Sequence, residues 1–132
     1  MSAELHCPIR SEIDVRRAVL ESIRYSQEAG FDEAPSQMIA TAVSELVRNI
    51  LKYAGSGEVR LRRVQRPSGG GIEILVSDHG PGIADLDAAM SDHFSSSGTL
   101  GLGLPGVKRL MDDFSMESAP GKGTRVRACK WI

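Results

Sequence analysis

Two glycine clusters constrain this chain more than anything else in it. The first, Asp78-His79-Gly80-Pro81-Gly82, closes an apolar segment; the second, Gly98-Thr99-Leu100-Gly101-Leu102-Gly103-Leu104-Pro105-Gly106, follows after a short polar stretch. Ile72, Ile74 and Val76 alternate with Glu73 and Leu75, so a strand there turns Asp78 to the side of its apolar residues, inward at the strand's end. A carboxylate in that place needs a partner. Gly80 and Gly82 strip side-chain bulk from the backbone and Pro81 bends it, so a flat ligand can approach the main chain while Asp78 accepts hydrogen bonds from its amino group. Adenine is such a ligand.

The second cluster suits an anion. Gly98, Gly101, Gly103 and Gly106 let backbone N–H groups come close to one, and Pro105 fits the first turn of a helix over 105–114 whose N-terminus would face phosphates. As a bare pattern, Gly101-x-Gly103-x-x-Gly106 also matches the dinucleotide-binding fingerprint. That fingerprint should follow a strand directly, and here the Ser-rich stretch 95–97 precedes it, so the Rossmann reading fails on context. Alone, the loop leaves phosphate binding and a loop that binds nothing equally open; the Asp78 turn upstream favours phosphates.

At 132 residues the chain predicts one domain over 1–132, with a real core and no room for a second ordinary unit. Sixteen Lys and Arg stand against 17 Asp and Glu, a net charge of −1, which gives no electrostatic case for nucleic-acid or membrane binding. No apolar run reaches membrane-spanning length and no signal pattern opens the chain. The two cysteines, Cys7 and Cys129, lie near opposite ends without metal-like spacing. Together these predict a cytoplasmic protein rather than a secreted disulfide scaffold, although the cysteines could still meet as neighbours in a sheet.

Residues 5–9 read as a short strand, and Ser11 as the cap of a helix over 12–29 that Gly30 stops. Its apolar positions are Ile13, Val15, Ala18, Val19, Ile23 and Ala29. After a polar turn over 31–34, Pro35 begins a strongly periodic helix with Met38, Ile39, Ala42, Val43, Leu46, Val47, Ile50 and Leu51 on one stripe, ending near Tyr53. On another side Glu45 and Asn49 lie one turn apart and project together. An Asn carboxamide facing a nucleotide suits Mg²⁺, and Glu45 could take a proton from an attacking hydroxyl. Taken alone, the pair reads more readily as a solvated helix edge beside Lys52.

Residues 57–66 form a strand with Val59, Leu61 and Val64 apolar and four arginines outward, the broken alternation suggesting a bulge near Arg62. A turn over 67–71 joins it antiparallel to the Asp78 strand. Residues 85–90 read as a helical turn and 94–99 as lid-like, and strands over 115–119 and 124–131 close a hairpin around Pro120-Gly121-Lys122-Gly123, with Thr124 near the ligand. The three histidines show no metal-ligand spacing.

With Glu45-Leu46-Val47-Arg48-Asn49, Asp78-x-Gly80-x-Gly82, the 98–106 loop and Gly121-x-Gly123-Thr124 in this order, the chain resembles the GHKL ATPases, which share the Bergerat fold. Within them it is similar to small bacterial serine/threonine switch kinases of the RsbT and RsbW kind; Tyr53-Ala54-Gly55 and the run 101–114 support the RsbT branch. The resemblance implies an α/β two-layer sandwich, helices on one face of a mixed, mainly antiparallel sheet, binding ATP and Mg²⁺. Asp78 would bind the adenine amino group, Gly80 and Gly82 would shape that pocket, and Thr124 would hold the adenine side. Asn49 would coordinate the metal and Glu45 would be the general base. Gly98, Gly101, Leu102, Gly103, Leu104 and Gly106 would cover the phosphates. The stretch 94–104 has no Lys or Arg, so positive charge at the γ-phosphate falls to Mg²⁺, backbone N–H groups, Lys52 or Lys108.

The implied activity is ATP-dependent serine/threonine phosphorylation of a STAS-domain partner, with release of the kinase to activate a serine phosphatase in bacterial stress signalling. The alternative is a regulatory module that binds nucleotide and sequesters a partner, such as a sigma factor, without turnover.

Overall fold

The computed structural model describes residues 4–80 and 103–132. In chain order these form β1 (Leu5–Ile9), α1 (Glu12–Glu28), α2 (Glu33–Tyr53), β2 (Gly57–Arg66), β3 (Gly69–Asp78), α3 (Gly103–Leu110), β4 (Asp113–Ser118) and β5 (Thr124–Trp131). The strands make one sheet in the order β1-β2-β3-β5-β4, and every described ladder is antiparallel, the antiparallel end of the expected architecture.

Period-two alternation drives one row of apolar side chains under the helices: Cys7 and Ile9 from β1, Val59 and Leu61 from β2, Ile72, Ile74 and Val76 from β3, Val126 and Ala128 from β5. The stripe of α2 closes over them with Ile39, Val43, Leu46, Val47 and Ile50, all at most 2% exposed. Phe31, inside the expected polar turn, joins this core, and α2 begins at Glu33, two residues before Pro35. Proline tolerates that first turn, where its missing N–H has no partner to lose.

Helix α1 departs from its expected face. Its buried positions are Val15, Ala18, Ser22 and Ser26, while Ile13 is 68% exposed. The two serines can be buried because their hydroxyls donate to the carbonyls of Val19 and Ile23 one turn back. Ser11 is the N-cap by backbone conformation but makes no capping bond; the Asp14 carboxylate reaches back instead, accepting from the Arg10 N–H at 2.9 Å.

The β2–β3 register runs unbroken from Gly57 opposite Asp78 to Arg66 opposite Gly69, so the expected bulge near Arg62 is absent and the turn tightens to Pro67 and Ser68. The alternation breaks at Arg63 and Val64, which stay in register opposite Ile72 and Gly71, and a charge cluster sits on the sheet's open face. Glu73, 2% exposed, accepts hydrogen bonds from Arg62 Nε and Arg127 Nε, each at 2.5 Å. Burial pushes the Glu73 carboxyl up, and the two arginine hydrogen bonds more than reverse this and hold it below its ordinary range. Cys129 lies on this face and Cys7 under the helices at the far edge, so the two thiols are free and not neighbours. The last helix stops at Leu110 rather than 114, because Asp113 and Phe114 already pair with Cys129 and Ala128.

Candidate functional site

The geometry centres on one row across the sheet. Gly57 on β2 faces Asp78 on β3, Asp78 faces Thr124 on β5, and Thr124 faces Ser118 on β4. All four strands bring an end to this row, so the sheet register alone sets Thr124 beside Asp78, although 45 residues separate them in sequence. As expected, Asp78 lies on the helix side of β3, half-buried.

Its two carboxylate oxygens differ. Oδ1 accepts from the Gly80 N–H at 2.9 Å and from the Thr124 N–H at 3.3 Å. Among the described residues Oδ2 has no hydrogen bond, so one oxygen is locked by backbone and the other is left to accept from a donor such as a base amino group. This open acceptor fits a base amino group such as that of adenine.

Two glycines permit the close approach that this needs. A Cβ on Gly80 would stand 2.5 Å from the Ala54 Cβ, where the turn after β3 crosses the end of α2. Gly123 has φ +76, and a Cβ there would collide with the Asp78 carbonyl oxygen. The glycines thus pin the Asp78 turn between α2 and the β4–β5 turn.

Helix α2 presents Glu45, Asn49 and Lys52 on one face, at successive turns. Glu45 and Asn49 are half-buried and Lys52 is exposed, its ammonium 5.3 Å from the centroid of the Tyr53 ring. Glu45 is not a plain solvated edge: its Oε2 accepts from the Gly103 N–H at 3.3 Å, at the first residue of α3. This contact ties the carboxylate helix to the second glycine cluster. Leu104 is 7% exposed with its side chain in the core, and Gly106 is also buried, so these two have only backbone to give to a phosphate. Gly82, Gly98, Gly101 and Leu102, and the stretches 85–90 and 94–99, lie outside the described residues.

No group of three His, Cys, Asp or Glu among the described residues could hold a metal. The Asn49 carboxamide is a hard oxygen of the kind that Mg²⁺ accepts beside phosphates and waters. Among the described residues no helix is long and apolar enough to cross a membrane.

Sequence reading does not single out Ser118. Its hydroxyl donates to the Gly123 carbonyl at 3.0 Å and lies 2.9 Å from the Thr124 hydroxyl. The available signal was the hairpin: a tight turn over 119–123 must set residue 118 opposite residue 124.

Comparison with known proteins gives the family. Residues 9–130 match the family model described as the histidine kinase-like ATPase domain. The chain is 45% identical over 124 residues to the serine/threonine-protein kinase RsbT of Bacillus subtilis (strain 168), covering 94% of this chain and 93% of that protein. It is 37% identical over 98 residues to the anti-sigma F factor of Thermoanaerobacter sp. (strain X514), covering 71% and 68%. Among solved structures it shares its fold with the mycobacterial sensor histidine kinase MprB (TM-score 0.55, 22% identity, 97% of this chain and 100% of that one). It also resembles a chain of the SiaB–SiaC complex of Pseudomonas aeruginosa (TM-score 0.60, 12% identity, 98% and 89%). The chain belongs to the GHKL-type histidine kinase-like ATPase family and is an RsbT-like serine/threonine protein kinase.

Proposed function

We propose that this kinase transfers the γ-phosphoryl group of Mg²⁺-bound ATP to a serine or threonine of a STAS-domain partner in the cytoplasm, and that the change of partner activates a downstream serine phosphatase. The observation that carries the site assignment is the Glu45–Gly103 hydrogen bond, which sets a carboxylate against the N-terminus of α3 on the helix face bearing Asn49. Asp78 Oδ2 and Thr124 receive the adenine, with Gly80 and Gly82 shaping the pocket. The backbone of Gly98, Gly101, Leu102, Gly103, Leu104 and Gly106 covers the phosphates, and the α3 N–H groups favour negative charge there. Glu45 accepts the proton of the attacking hydroxyl. Asn49 would hold Mg²⁺, which supplies charge neutralisation on the phosphoryl oxygens. Lys52 and Lys108 are the side-chain cations assigned to the γ-phosphate.

The anti-sigma F factor relatives favour a second role that can coexist with the first, sequestration of a partner protein. One experiment separates them. The chain is incubated with γ-labelled ATP and Mg²⁺ in a lysate of its own source, beside Glu45→Ala and Asp78→Asn controls. A labelled band present only with the unaltered chain supports the transfer reading, and mass analysis of that band names the acceptor. No band, with ATP binding that Asp78→Asn weakens, would refute the transfer step and leave sequestration.

A further inference from the structure

We infer that Ser118 is a positioning residue that turns the Thr124 hydroxyl into a pure hydrogen-bond acceptor beside Asp78, and thereby helps the site to choose adenine over guanine. The inference rests on the nucleotide reading of the Asp78 pocket and goes beyond it to base specificity.

A hydroxyl has one proton and two lone pairs. Ser118 Oγ lies 3.0 Å from the Gly123 carbonyl oxygen, which can only accept, so the Ser118 proton is committed there. The 2.9 Å contact between the Ser118 and Thr124 hydroxyls must then use the Thr124 proton, with Ser118 accepting. Thr124 is left with lone pairs only. Its backbone N–H is already given to Asp78 Oδ1.

Among the described residues, the side chains of Asp78 and Thr124 at this corner therefore offer acceptors and no donor. Adenine suits it, since its six-position carries an amino group with two donors. Guanine and hypoxanthine carry a carbonyl at that position, which would face two acceptors with no hydrogen bond to either. Guanine's other route, pairing its ring N–H and its amino group with both oxygens of one carboxylate, is closed as well. Oδ1 of Asp78 already accepts from two backbone N–H groups and is not available as half of a bidentate acceptor.

Removing the Ser118 hydroxyl frees the Thr124 proton to rotate toward the base and donate to a carbonyl. The test is equilibrium binding of ATP, GTP and ITP to the unaltered chain, Ser118→Ala and Ser118→Thr, by titration calorimetry. The unaltered chain should bind ATP well above GTP and ITP, Ser118→Ala should narrow the ATP-to-GTP ratio roughly tenfold, and Ser118→Thr should restore it. A Ser118→Ala variant that loses affinity for all three nucleotides in equal proportion makes Ser118 merely structural and overturns the inference. ITP supplies a check that needs no variant: it carries the six-position carbonyl without guanine's amino group, and ITP binding equal to ATP would also overturn the proposal. ATP binding that Asp78→Asn leaves unchanged would instead refute the nucleotide site itself.

Discussion

Glu73→Gln isolates the charge cluster on the open face of the sheet. Glu73 is 2% exposed and is held by two arginines whose side chains are 53% and 46% exposed. Two hydrogen bonds to a charged group, at roughly 1.5–3 kcal/mol each, set a gross loss of roughly 3–6 kcal/mol. The arginines are half in water and rehydrate when released, and the Gln carbonyl keeps one of the two bonds, so the expected loss falls to about 2 kcal/mol. Urea denaturation near neutral pH should then show a midpoint about 1 M lower, taking a slope of roughly 2 kcal/mol per molar.

The pH dependence gives an independent check. The Glu73 carboxyl is depressed in the folded chain by its arginines, against burial that pushes it up. Its contribution is therefore complete above the unfolded carboxyl's ordinary value and is lost as pH falls through that value toward the folded one. The gap between the unaltered chain and Glu73→Gln should close on acidification, whereas near neutrality it should be flat with pH. A variant within about 0.5 kcal/mol of the unaltered chain near neutral pH, a magnitude ordinary for surface changes, would refute the argument. So would a gap that stays constant into acid.

Glu45→Ala should lower phosphoryl transfer by roughly 10²–10⁴-fold while leaving the ATP dissociation constant within about threefold; a variant that transfers at the normal rate would remove Glu45 as the base. Gly123→Ala forces a side chain into a left-handed conformation and onto the Asp78 carbonyl, so stability should fall by about 1–3 kcal/mol and ATP affinity should fall with it, both readable by thermal unfolding with and without nucleotide. Burial raises the thiols of Cys7 and Cys129 above the ordinary cysteine range, so neither should react with an alkylating reagent near neutral pH faster than the fold opens. Rapid modification of the native chain, followed by mass spectrometry, would contradict that burial.

Local pattern carried much of the fold. The strands around Ile74 and Val126, the long stripe of α2 and the glycine stop after α1 all follow from apolar periodicity and turn residues, which are read over a few neighbouring positions. The errors have one cause. Ile13 is solvated and Ser22 is buried because the face of α1 was set by α2 and β1, and an isolated helix pattern contains neither. Arg62 and Arg127 lie far apart in sequence, and Glu73 is buried only because antiparallel pairing sets one on each side of it. The same holds for the end of α3, where pairing of Asp113 with Cys129 took residues that a helix could have used.

The candidate site divides along the same line. The sequence by itself determined its chemistry: a carboxylate at an inward strand end, glycines where backbone must come close, and a Glu–Asn pair one turn apart on a helix, all set by covalent spacing. Tertiary structure decided how those parts combine. Strand order put Thr124 beside Asp78 and Ser118 beside Thr124, and the packing of α3 on α2 brought Gly103 to Glu45. A hydroxyl's single proton and a carboxylate's four lone pairs are shared among whichever groups the fold makes neighbours, so which oxygen of Asp78 is spent and which is left for a ligand is a property of the assembled sheet and not of any one segment.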